Sequence, residues 1–75
     1  MKIKELRKEN KITQSKMAMD LDLSQNTISQ YENGKREPDI KTLKRIADYF
    51  NVSIDYLVER EEYSKINNYK HLSLR

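Results

Sequence analysis

From Ser24 to Glu32 the chain reads SQNTISQYE: three amides, three aliphatic hydroxyls and one formal charge, in a protein whose residues are 36% charged. An amide side chain donates and accepts at once, so Gln25, Asn26 and Gln30 can match the paired donor and acceptor edges of nucleic-acid bases, adenine above all. The plainer reading is a solvated helix face, because a serine followed by Gln and Asn opens many ordinary surface helices. Three features favour base reading. The residues before Ser24 have the spacing of two short helices joined by a tight turn. The basic residues Lys35 and Arg36 follow the segment instead of lying on it, where they would hold phosphate without competing for bases. The segment also lacks the Glu-to-Lys pairs that an ordinary solvated helix collects.

Other chemistry finds little support. There is no cysteine, so no disulfide and no thiolate metal site. The single histidine, His71, lies near the C-terminus with no cluster of carboxylates, which makes a metal role a poor expectation. One glycine cannot build a glycine-rich phosphate loop, and Glu61 and Glu62, being adjacent, would point apart on a helix. The expectation is therefore no enzyme activity, no cofactor and no small-molecule ligand. Seventy-five residues allow one small domain with a thin core. The net charge of +3 is a mild hint of a polyanionic partner, tempered by the mixing of signs along the chain. No apolar run approaches the length of a membrane span, and the basic start MKIKELRKEN lacks the apolar stretch of a signal peptide. The cytoplasm, with no membrane partner, is the expected setting.

Helical periodicity accounts for the elements that must hold the amides. Gly34 and Pro38 stand alone in their types, too few for strands joined by tight turns. Ile3, Leu6, Arg7 and Asn10 share a face of a first helix, roughly residues 2–10. Thr13 caps a second, residues 14–21, with Met17, Ala18 and Leu21 inward; Lys16 stands where a capping box would have Glu. Ser24 caps a third, residues 25–33, with Ile28 and Tyr31 inward, and Gly34 follows as a left-handed stop. Asp39 caps a fourth, residues 40–50, and Ser53 a short fifth holding Ile54 and Leu57. The expected fold class is all-α, a five-helix bundle over residues 1–58 with a tail, residues 59–75, whose pattern allows either helix (Tyr63, Ile66, Tyr69) or strand (the alternating KHLSLR). Between the second and third helices, small Ala18, a tight turn at Asp22, Leu23 and the capping Ser24 have the layout of a helix-turn-helix.

The stretch from Leu6 to Val58, roughly three quarters of the chain, resembles the Cro/repressor-type helix-turn-helix domain, the XRE family with the lambda-repressor-like fold. The segments ITQ, LSQNTISQYENGKREP and LKRIADYFNVSIDYL carry the resemblance together. It implies that the third helix enters the DNA major groove, with Ser24, Gln25, Asn26 and Gln30 at base-reading positions and Thr27 nearby. It also implies a phosphate contact at Gln14, where the amide and the helix N-terminus meet the backbone, and others at Asn33, Lys35 and Arg36. Arg7 and Glu32 match an ion pair that joins the first and third helices and aims the latter.

The sequence departs from the family at three places. Asp22 stands where the turn usually has glycine, Met19 where a polar residue is usual, and Lys16 where an acidic one is. The expected function is a sequence-specific regulator of transcription, a repressor, acting on double-stranded DNA as a homodimer at a palindromic operator. One domain offers too few base contacts for high specificity, which is the reason to expect two-fold symmetry. Dimer contacts are expected from Ile54, Tyr56 and Leu57 and from the tail, where Tyr63 and Ile66 recur at helical spacing. The alternative is an antitoxin-like or anti-repressor module whose helix-turn-helix is scaffold and whose tail grips another protein.

Overall fold

The computed structural model describes residues 1–59, and these form five helices: α1 (Ile3–Glu9), α2 (Gln14–Leu21), α3 (Gln25–Glu32), α4 (Ile40–Phe50) and α5 (Ile54–Val58). The expected order and number are met, with α1 one residue shorter at each end and α3 ending at Glu32, Asn33 serving as its C-cap. The tail residues Tyr63 and Ile66 lie outside the described residues.

The starts of the helices follow from side-chain chemistry. Thr13, Ser24 and Ser53 each accept a hydrogen bond at 3.0 Å through the hydroxyl oxygen, from the backbone N–H of Lys16, Thr27 and Tyr56. The Asp39 carboxylate accepts one from the Thr42 N–H at 2.8 Å. Each such cap satisfies an otherwise orphaned amide and stabilises its helix by about 1 kcal/mol. The ends rely on the left-handed region: Asp22 closes α2 and Asn51 closes α4, each at φ 57°, and Gly34 after α3 lies at φ 72°. Lys11, between α1 and α2, is left-handed as well, which nothing in its side chain announces.

Five side chains are wholly withdrawn from solvent, one from each helix: Ile3, Met17, Ile28, Ile46 and Leu57. Burying each contributes about 1.5–3 kcal/mol relative to leaving it exposed. Leu6, Ala18, Leu21, Tyr31, Leu43, Ala47 and Phe50 complete the same cluster. Leu23, in the turn, is partly buried against it. Helix α2 packs chiefly on α3, α5 packs on α4, and α1 lies against both α3 and α4. The chain's start is tied to α5, since the Lys2 N–H donates to the Leu57 carbonyl at 2.8 Å and the Lys2 ammonium sits 5.3 Å from the Tyr56 ring centroid.

This packing corrects one expectation. Leu57 is the anchor of α5 in the protomer's own core, with no surface left to offer a second copy. A five-residue helix has a single inward line, and Leu57 occupies it; Ile54 is only half-buried and Tyr56 is 43% exposed. Met19 is the most exposed large apolar side chain among the described residues, at 75%.

Candidate nucleic-acid interface

The bundle presents α3 along its outer side. Ile28 and Tyr31 face the core, and the first turn of the helix, Gln25 and Asn26, is exposed. Among the described residues Asn26 and Gln30 make no side-chain hydrogen bond, so the amide of each is available to a partner; Gln30 is half-buried and Asn26 exposed. Gln25 makes only a long contact, its Nε2 donating to Gln14 Oε1 at 3.4 Å. Ser24 is exposed too, but its hydroxyl has a first duty as the cap and lies 2.8 Å from Thr27 Oγ1.

Beneath this face lies the ion pair that the resemblance implied. Arg7 Nε donates to Glu32 Oε2 at 2.6 Å and Arg7 Nη2 to Glu32 Oε1 at 3.2 Å, with the Glu32 side chain 2% exposed. Two further bonds, not foreseen, complete its shell. Arg7 Nη1 donates to the Ile12 carbonyl at 2.9 Å, just past the left-handed Lys11, and Gln14 Nε2 donates to Glu32 Oε1 at 3.0 Å. The pair therefore joins α1, the loop after it, the start of α2 and the end of α3. A bidentate arginine–carboxylate pair fixes orientation as well as distance. Gln14, expected at phosphate, spends its Nε2 on Glu32 and its Oε1 on Gln25, so it connects the ion pair to the first turn of α3. Asn33 is exposed, its Nδ2 donating weakly to Ser29 Oγ at 3.4 Å. Lys35 and Arg36 are exposed beyond the end of α3 and make no side-chain hydrogen bond or close ion pair among the described residues, although the charge of Arg36 is felt by the Asp39 carboxylate.

A second polar cluster flanks the turn. Asp20 accepts from the Tyr49 hydroxyl at 2.6 Å and from Lys16 Nζ at 2.9 Å. The Tyr49 hydrogen bond, followed by that of Lys16, holds the Asp20 carboxyl below its ordinary pKa. Burial, aided by the hydrogen bond to Asp20, pushes the Tyr49 phenol up to about 12. Arg45 Nη2 donates to the Leu21 carbonyl. Neither link has a signal in the sequence, since the partners stand 29 and 24 residues apart.

Comparison with known proteins points the same way. The Helix-turn-helix family model HTH_3 matches residues 3–57. The HTH-type transcriptional regulator ImmR of Bacillus subtilis is 39% identical over 66 residues, covering 88% of this chain and 52% of that protein. The HTH-type transcriptional activator BcrR of Enterococcus faecalis is 39% identical over 61 residues, 81% of this chain and 30% of that protein. The transcriptional repressor RstR of the cryptic phage CTXphi in Vibrio cholerae is 33% identical over 61 residues, 81% of this chain and 55% of that protein. The chain thus spans about half the length of ImmR and RstR, and less of BcrR. No solved structure gives a significant match.

Proposed function

The chain belongs to the HTH_3 helix-turn-helix family, of the XRE type, and from that premise we propose that it is a sequence-specific DNA-binding regulator of transcription. Helix α3 enters the major groove of a B-form duplex, and Gln25, Asn26 and Gln30 pair with base edges. Lys35, Arg36 and Asn33, just past the helix, hold backbone phosphates and set the register. The single observation that carries this reading is the first turn of α3: exposed, uncharged, rich in amides, and mounted on a buried ion pair.

Regulation by repression is the form that needs least of the chain, since occupying an operator requires only binding; the CTXphi relative is named a repressor and the Enterococcus relative an activator. The working unit is a homodimer on a palindromic operator, with half-sites about 34 Å apart, one turn of the duplex. Tyr56 and Ile54 on α5 offer the dimer surface that Leu57 does not.

The test compares a duplex enriched by the protein from a random pool with a scrambled duplex of equal length. Gln25→Ala and Gln30→Ala each lower affinity for the enriched duplex, by about 1–3 kcal/mol for a lost bidentate contact, and leave the scrambled one nearly unchanged. Lys35→Ala weakens both alike. Equal losses on both duplexes for all three variants would remove the base-reading assignment.

A further inference from the structure

The turn between α2 and α3 carries a cost that the rest of the molecule must offset. Asp22 occupies the left-handed region, φ 57° and ψ 44°, where a side chain bearing a Cβ is strained. Its backbone bonds all run back into α2: the Asp22 N–H is shared between Ala18 O and Met19 O, the latter at 3.3 Å, and the Leu23 N–H donates to Ala18 O at 2.9 Å. The Leu21 carbonyl, at the negative end of the α2 dipole, has lost its helical partner because the helix stops there.

Helix α4 supplies what is missing. The Arg45 guanidinium donates to the Leu21 carbonyl, one residue before Asp22. One helical turn further along α4, the Tyr49 hydroxyl donates to Asp20 at 2.6 Å. Tyr49 is not a loose surface ring. It is half-buried against the core and meets Phe50 edge-on, with centroids 5.0 Å apart and planes at 72°. Its hydroxyl is therefore held in place, and Asp20 is gripped from the other side by Lys16. Arg45 and Tyr49 stand four apart on α4, the spacing that puts two side chains on one face.

Resting on the DNA-reading function proposed above, we propose that Arg45 and Tyr49 form a brace from α4 onto the last turn of α2, and that both are positioning residues for α3. The brace holds Asp20 and Leu21 so that the left-handed turn at Asp22 keeps one geometry. The angle at which α3 leaves the turn then stays fixed, and with it the reach of Gln25 and Asn26 to the bases. Neither residue touches DNA. Their effect is on discrimination between sequences and not on general attraction to the duplex.

The test uses the full chain and four variants: Tyr49→Phe, Arg45→Met, Asp20→Asn and Asp20→Ala. The readout is the ratio of affinities for the wild-type-enriched duplex and a scrambled duplex. Tyr49→Phe changes no charge, and the ratio cancels the lost charge of Arg45→Met. Each lowers the ratio by about two- to tenfold, the equivalent of one modest hydrogen bond, while both proteins remain folded by circular dichroism. Asp20→Asn keeps an acceptor for the Tyr49 hydroxyl and retains the wild-type ratio; Asp20→Ala does not. Amide hydrogen exchange at Asp22 and Leu23, measured without DNA, is faster in Tyr49→Phe and Arg45→Met than in the wild type. An unchanged ratio in both folded variants, or unchanged exchange at the turn, overturns the brace. If the wild-type chain enriches no sequence at all, the DNA-reading function fails and the brace's part in it falls too, whereas faster exchange at the turn would still establish the brace itself.

Discussion

Arg7 and Glu32 support the proposed interface from beneath. Both are charged, both side chains are nearly out of solvent, and both carboxylate oxygens of Glu32 accept hydrogen bonds. Deleting one partner leaves the other buried and unpaired, so Arg7→Ala or Glu32→Ala should lower stability by about 3–5 kcal/mol in denaturant unfolding. In a domain whose whole stability is about 5–10 kcal/mol, that is most of the margin. Gly34 is the opposite case. A Cβ added there meets nothing within 4 Å, yet its φ is 72°. Gly34→Ala should therefore cost about 1 kcal/mol through the backbone alone, with the core undisturbed. Tyr49 gives a pH signature. Its phenol is raised from 10.0 to about 12 by burial and by the bond to Asp20. A raised pKa stabilises the fold fully below the unfolded value, and the benefit fades as pH climbs from about 10 toward 12. Absorbance titration of the phenolates should show one late component near pH 12, absent in Tyr49→Phe; a wild-type curve identical to that of the variant would contradict it. The lowered Asp20 carboxyl works in the other sense, adding stability above its ordinary pKa of 3.8 that is lost as acid protonates it.

At the scale of the element, what was legible in the sequence was what neighbours decide. Thr13, Ser24, Asp39 and Ser53 are short oxygen-bearing side chains, each three residues before the amide it caps, and all four caps form. Asp22 and Gly34 lie left-handed as the turn and the helix stop required. The inward residues of α2 and α3, Met17, Ala18, Leu21, Ile28 and Tyr31, follow from three-and-four spacing and are buried. Periodicity works less well where an element is short. Five residues of α5 contain too little pattern to tell a core anchor from an interface residue, so Leu57 reads as either, and only packing assigns it to the core. Long-range polar bonds are not legible at all. Gln14 to Glu32, Arg45 to Leu21 and Tyr49 to Asp20 join residues 18 to 29 apart, with no local signature. The Arg7–Glu32 pair was expected through family resemblance and not from spacing. Truncation of α5 at Leu57 tests the corrected assignment: Leu57→Ala should destabilise the protomer by about 2–5 kcal/mol, with a loss in thermal unfolding that does not depend on protein concentration.

For the whole molecule, the arrangement separates two tasks. The core and the ion pair make a rigid frame, and the frame presents a face whose chemistry is neutral and directional. The cations are set at its margin, at Lys35 and Arg36. Such a division should appear in the salt dependence: affinity for any duplex falls steeply as salt rises, while the ratio between enriched and scrambled duplexes changes far less. The most direct measurement of the central assignment is selection from a random duplex pool by the wild-type chain and by a variant with Gln25, Asn26 and Gln30 all changed to Ala. The wild type should enrich one motif, repeated with two-fold symmetry, and the variant should enrich none while still binding duplex at low salt. The same motif enriched by both proteins would show that the amides of α3 do not read the bases.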